Sequence, residues 1–200
     1  GMDGKPFKTR SGEVVGLADL LDESEERAFA TVSKKNADLE ESVRRNIARV
    51  VGLGALKYAD LSNNRQSDYI FDWNKMLALQ GNTAPYLQYA YTRIRSIDRK
   101  AGASDYSRAI ITVNAPEELA LGKHLMNFSQ VLDMITDDHR PNFLCNYLYE
   151  LATHFSRFYE ACPVLKAETE KESRLALCGL TARVLRQGLE VLGIEVTEVM

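Results

Sequence analysis

Tyr86, Tyr89, Arg93 and Lys100 are the residues whose types and spacing most directly suggest chemistry. On a helix turning 100° per residue they share one stripe, two rings followed by two cations. Rings stack on unpaired bases and cations meet phosphates, so such a stripe can serve as a platform for single-stranded nucleic acid. The same pattern also suits two tyrosines that rim a core and turn their hydroxyls to water. Helix geometry alone leaves both readings open.

A second candidate is the loop between Gly4 and Gly12, where Lys5, Lys8 and Arg10 stand among small hydroxyl residues. Side chains and backbone N–H groups there could hold phosphate. The loop lacks the G-x-x-x-x-G-K-[ST] spacing of a P-loop. His124, His139 and His154 have no i,i+4 partner and no cysteine spacing of a zinc site, so they read as surface or packing residues and no metal is expected. The acidic runs 22–26 and 168–172 read as solvated faces. Neither a Ser-His-Asp nor a Cys-His arrangement emerges, so no independent catalytic site is expected.

The elements that would position these residues are helices. Thr83 as N-cap, Pro85 in the first turn and Gly102 at the far end predict a helix over 84–101, with Leu87, Ala90, Tyr91, Ile94, Ile97 and Ala101 on its core face. Upstream, apolar residues at 17, 20, 21, 28 and 32 predict a helix over 17–35. A second is expected over 38–51, ending at Gly52, and a short third over 55–61. Asp68 to Phe71 is β-prone but reads as a connector, and Asp72 caps a brief helix. Downstream, Asn114 is read as the cap of a helix with Leu119, Leu125, Phe128, Val131, Leu132 and Ile135 on its apolar side. Helices over 142–161 and 169–192 follow, then a short apolar tail from Ile194 to Met200. The expected fold is all-α: a helical bundle preceded by a smaller, mainly helical segment.

With 45% hydrophobic and 26% charged residues in 200, the chain can bury a real core and is not disordered. No apolar run reaches the roughly 18 residues of a membrane span, and no signal peptide is visible. Cys145, Cys162 and Cys178, odd in number and without C-x-x-C spacing, read as free thiols, which points to the cytoplasm. The formal net charge of −3 requires any nucleic-acid contact to use a local patch. Arg93, Arg95, Arg99 and Lys100 against Asp98 supply one, an excess of three positives between Gly81 and Ala103.

Three blocks in order, KPFKTRSG at Lys5 to Gly12, GALKYADLSNNRQSDYIFDWNKML at Gly54 to Leu77, and GNTAPYLQYAYTR at Gly81 to Arg93, together resemble arginyl-tRNA synthetase, a class I aminoacyl-tRNA synthetase. FSRFYEACPVL at Phe155 to Leu165 and the closing SRLAL…LGIE helix extend the resemblance over essentially the whole chain. It implies the C-terminal part of such a ligase, without the HIGH-bearing Rossmann domain and so inactive alone. Residues 1–80 would be the end of the catalytic region, and 81–200 the anticodon-binding helical bundle of the DALR type.

By the same resemblance, Lys8 and Arg10 stand in a loop equivalent to KMSKS, here a departing KTRSG, and would meet the phosphates of ATP with magnesium in the whole enzyme. The fragment itself is expected to bind no cofactor. Tyr86, Tyr89, Tyr159 and Met200 match positions that face the tRNA anticodon loop, and helix geometry adds Arg93 and Lys100. The implied partners are tRNA(Arg) and the catalytic domain, with no DNA and no membrane. The alternative is a non-catalytic helical protein-interaction module.

Overall fold

The computed structural model describes residues 16–102, 106 and 109–200, and the Lys8–Gly12 loop lies outside them. Eight helices follow in order: α1 Leu17–Lys35, α2 Glu41–Leu61, α3 Trp73–Met76, α4 Ala84–Lys100, α5 Pro116–Met126, α6 Phe128–Asp138, α7 Asn142–Ala161 and α8 Lys171–Val191. No strand occurs among the described residues, and no helix there is long and apolar enough to cross a membrane. The Asp68–Phe71 stretch is a connector, and the Asp72 carboxylate accepts from the Asn74 and Lys75 N–H groups that open α3.

The first two helices pack as an antiparallel pair around Ala28 and Val32 of α1 and Ile47, Ala48 and Val51 of α2. Leu17, expected on the inner face, is 68% exposed. The expected stop at Gly52 does not occur, and α2 runs on through Leu61, absorbing the short helix read over 55–61. Gly52 serves close approach here. The Ser24 hydroxyl donates to its carbonyl at 2.8 Å, and a Cβ at Gly52 would stand 2.8 Å from the Ser24 carbonyl oxygen. Backbone cannot rotate away as a side chain can. Gly52→Ala is therefore expected to lower stability by about 1–3 kcal/mol despite alanine's better helix propensity. Gly122→Ala, where a Cβ meets nothing within 4 Å, is expected to raise it by about 0.5–1 kcal/mol. Urea melts of the two variants read these opposite signs.

The larger core lies between α4, α5, α7 and α8. Leu87 and Ile94, Leu121, Leu148 and Phe155, and Leu185 are all fully buried there. Cys145 and Cys178 sit in the same core, where burial pushes both thiols up to about 12 and keeps them protonated. The helix expected from Pro116 onward breaks at Asn127 into α5 and α6. Its buried face is Glu118, Leu121 and Leu125, so Leu119, expected inward, is 45% exposed. Asn114 does not cap it. Ala115 occupies the N-cap position, and the Glu118 carboxylate accepts from the Asn114 and Ala115 N–H groups at 2.7 and 2.9 Å.

His124 of α5 stacks on Tyr147 with ring centroids 4.5 Å apart and lies 5.0 Å from His154. Burial first, then His124 and Arg157, hold the His154 pKa below its ordinary value. These two histidines are packing residues. Among the described residues no group of three or more metal-ligating side chains gathers.

Gly193 turns the chain back after α8, and the tail crosses α2 and α4 as a strap. The Gln88 amide donates to the carbonyls of Val50 and Glu195, the Thr92 hydroxyl to the Thr197 carbonyl, and Arg49 to the Glu195 carboxylate. Ile194 at its start is buried, and Met200 at its end packs against the α1–α2 cluster. The strap thus joins the two packed regions.

Candidate nucleic-acid interface

The start of α4 is held from both sides of its cap. The Thr83 hydroxyl accepts from the Tyr86 N–H at 3.3 Å and donates to the Ala78 carbonyl at 2.7 Å. Gly81, at φ 80°, makes the left-handed turn into it. This fixes where Tyr86 emerges.

Tyr86 does two jobs. Its ring packs against the main core, while its hydroxyl lies 3.4 Å from the Ser156 hydroxyl of α7 and its ring 5.8 Å from that of Tyr149. Two turns along α4, the Arg93 guanidinium lies 4.5 Å from the centroid of the Tyr159 ring, which in turn stacks on Phe155 at 6.0 Å with the rings inclined by 30°. No carboxylate among the described residues pairs with Arg93. Tyr86, Tyr149, Ser156, Arg93 and Tyr159 therefore form one seam between α4 and α7. It offers ring faces, hydroxyls and one unneutralised cation.

Tyr89 turns to the other side. It is 43% exposed and, with Met200, Leu79 and Pro85, lines a narrow cleft of about 80 Å³ against Val32 of α1 and Val51 of α2. Lys100 stands exposed in the last turn of α4, about 10 Å beyond Arg93 by helix rise. The structure thus brings Tyr86, Arg93 and Tyr159 together, pairs Tyr89 with Met200, and leaves Lys100 at a distance.

The positive patch is smaller than the count of charges suggests. Arg95 donates to the carboxylates of Asp98 at 2.7 Å and Glu198 at 2.9 Å, and Arg99 donates to the Glu198 carbonyl at 3.1 Å. The Tyr91 hydroxyl also donates to Glu198, at 2.9 Å. Burial pushes the Glu198 pKa upward, but the hydrogen bonds from Arg95 and Tyr91 and the two guanidiniums outweigh it, so the carboxyl ends below its ordinary value. Of the four cations on α4, Arg93 and Lys100 are the ones without such a carboxylate partner among the described residues.

Sequence reasoning passed over Tyr149, Ser156 and the strap. Tyr149 lies one residue beyond the core position Leu148, and only the placement of α7 beside α4 gives it a role. No nucleophile with a paired base stands in the seam among the described residues.

This all-α bundle is of the class I aminoacyl-tRNA synthetase type. Residues 87–200 match the DALR anticodon binding domain, and residues 1–73 match the catalytic domain of class I tRNA synthetases (R). The arginine-tRNA ligases of Chromobacterium violaceum and Laribacter hongkongensis are each 57% identical over 201 residues. The alignment takes in 100% of this chain and 35% of each relative, so the chain spans about a third of their length. The structure superposes on Thermus thermophilus arginyl-tRNA synthetase with a TM-score of 0.86 at 32% identity, covering 94% of this chain and 33% of that one. For the arginyl-tRNA synthetase of Plasmodium falciparum the TM-score is 0.83 at 32% identity, with 93% and 34% covered. The chain belongs to the arginyl-tRNA synthetase family.

Proposed function

We propose that residues 81–200 recognise the anticodon loop of tRNA(Arg), and that residues 1–80 are the end of the catalytic region of an arginine-tRNA ligase acting in the cytoplasm. The whole enzyme activates arginine with ATP and magnesium and esterifies it to tRNA. Lys8 and Arg10 then face the ATP phosphates, and the catalytic domain is the chain's second partner. The observation that carries the reading is the α4–α7 seam, where Arg93 covers Tyr159 beside Tyr86 with no carboxylate to neutralise it among the described residues. Tyr86, Tyr89, Tyr159 and Met200 supply faces for unpaired bases, and Arg93 and Lys100 meet the backbone.

Titration of the 200-residue chain with a tRNA(Arg) transcript tests this. Binding should weaken as salt rises, and Tyr86→Ala or Tyr89→Ala should weaken it roughly 5- to 150-fold, the ~1–3 kcal/mol range of one base on one ring. Equal affinity of wild type and both variants sinks the stacking roles. No binding by the wild type favours the protein-interaction module instead.

A further inference from the structure

The end of α2, the connector after it, α3 and the 78–83 loop line an open cavity of about 490 Å³. That lies within the range of small-ligand sites, roughly 300–1,000 Å³. Tyr86, Tyr89, Arg93, Tyr159 and Met200 do not line it. Its polar lining includes four carboxamides, Asn63, Asn74, Gln80 and Asn82, with Tyr69, Lys75 and the Asp72 carboxylate. A carboxamide places a donor beside an acceptor, the complement of base edges that carry an amino group beside a ring nitrogen.

Two of these groups are held in place. The Asn63 amide nitrogen donates to the Ala59 carbonyl at 2.6 Å, which leaves its side-chain oxygen for another donor. Asn82 is fixed more firmly: its side-chain oxygen accepts from the hydroxyl of the buried Tyr58 at 2.5 Å, and its nitrogen donates to the Asn146 side-chain oxygen of α7 at 3.0 Å. The exposed Asn82 amide thus keeps one N–H and one oxygen lone pair, held in place, for a ligand. The side chains of Asn74, Lys75 and Gln80 have no hydrogen-bond or ion-pair partner among the described residues. Tyr69 is anchored at its hydroxyl by Asp60, 3.4 Å away, and its ring is 39% exposed.

We propose that this cavity is a nucleotide pocket of its own, taking one unpaired RNA nucleotide with its base against Tyr69 and the carboxamides and its phosphate near Lys75. The inference rests on the anticodon-loop reading and extends it. Asn82 borders the cavity and bonds Asn146, which stands three residues before Tyr149 on α7. The cavity therefore borders α7 close to the seam.

Titrations with the same transcript, using Tyr69→Ala and Lys75→Ala, test the pocket separately from the seam. Tyr69→Ala should weaken binding roughly 5- to 150-fold. Lys75→Ala should reduce the slope of log affinity against log salt by about 0.7, the share of one phosphate on single-stranded RNA. Wild-type affinity and slope in both variants, with Tyr86→Ala still weakened, overturns the pocket alone and leaves the cavity to a protein contact. No binding by the wild-type chain overturns pocket and reading together. Photo-crosslinking with 4-thiouridine across the anticodon loop reads the pocket without any substitution. A crosslink within residues 69–75 supports it, and crosslinks confined to α4 and α7 overturn it.

Discussion

Glu118→Ala is expected to cost about 3–5 kcal/mol of folding stability, the scale of removing one partner from a buried ion pair. Glu118 is 1% exposed, and one of its oxygens accepts from Arg174 at 2.7 Å while the other accepts from the two N–H groups ahead of α5. Alanine would leave the largely buried Arg174 guanidinium with only the Pro163 carbonyl as partner, and two backbone donors without a cap. The exposed Arg186–Glu190 pair at the same 2.7 Å is the comparison: Glu190→Ala should leave stability close to wild type, because water screens that pair. Denaturant midpoints at neutral pH measure both.

The same site gives a pH dependence of known sign. Burial alone would raise the Glu118 pKa, but the Ala115 N–H, Arg174 and the Asn114 N–H outweigh it and leave it lowered. A carboxyl whose folded pKa lies below its unfolded value, about 4.3, stabilises the fold above that value. That stability is lost as pH falls through the folded pKa. Wild type should therefore lose stability on acidification more steeply than Glu118→Gln.

The helices that carry the seam were legible in the sequence, because their signals are local. Thr83, Pro85 and the 3.6-residue spacing of Leu87, Tyr91 and Ile94 fix α4 without reference to anything else. The spacing of Leu144, Leu148, Leu151 and Phe155 does the same for α7. Gly52 misled for a physical reason. Glycine ends helices and also lets backbones touch, and which role it plays depends on whether another chain segment, here Ser24, lies against it. The break at Asn127 has no proline or glycine to announce it. The tail read as merely apolar because its function depends on partners more than 90 residues away, with Gln88, Tyr91, Thr92 and Arg95 all reaching for it.

The site follows the same division. Tyr86 and Tyr89 share a helix stripe, yet the structure sends them to different neighbours, one to α7 and the other to Met200. A stripe about 60° wide is enough for that separation when another element packs on each side. Arg95 and Arg99 look equivalent to Arg93 by composition. Glu198, supplied by the strap, makes them different.

Arg93 and Tyr159 are expected to act as one contact, and a double-variant cycle on tRNA affinity shows it. Tyr159→Ala removes a ring and should weaken binding roughly 5- to 150-fold, whereas Tyr159→Phe keeps the ring and should stay close to wild type. Arg93→Ala should weaken binding and also flatten the salt dependence by about 0.7 in slope, and Tyr159→Ala should flatten it by less. The guanidinium is held over the ring at 4.5 Å, so losing the ring also frees the cation that it positions. The combined loss in Arg93→Ala/Tyr159→Ala should therefore be smaller than the product of the single losses. Strict multiplication would mean that the two residues touch the RNA independently, and the seam would then be two adjacent contacts.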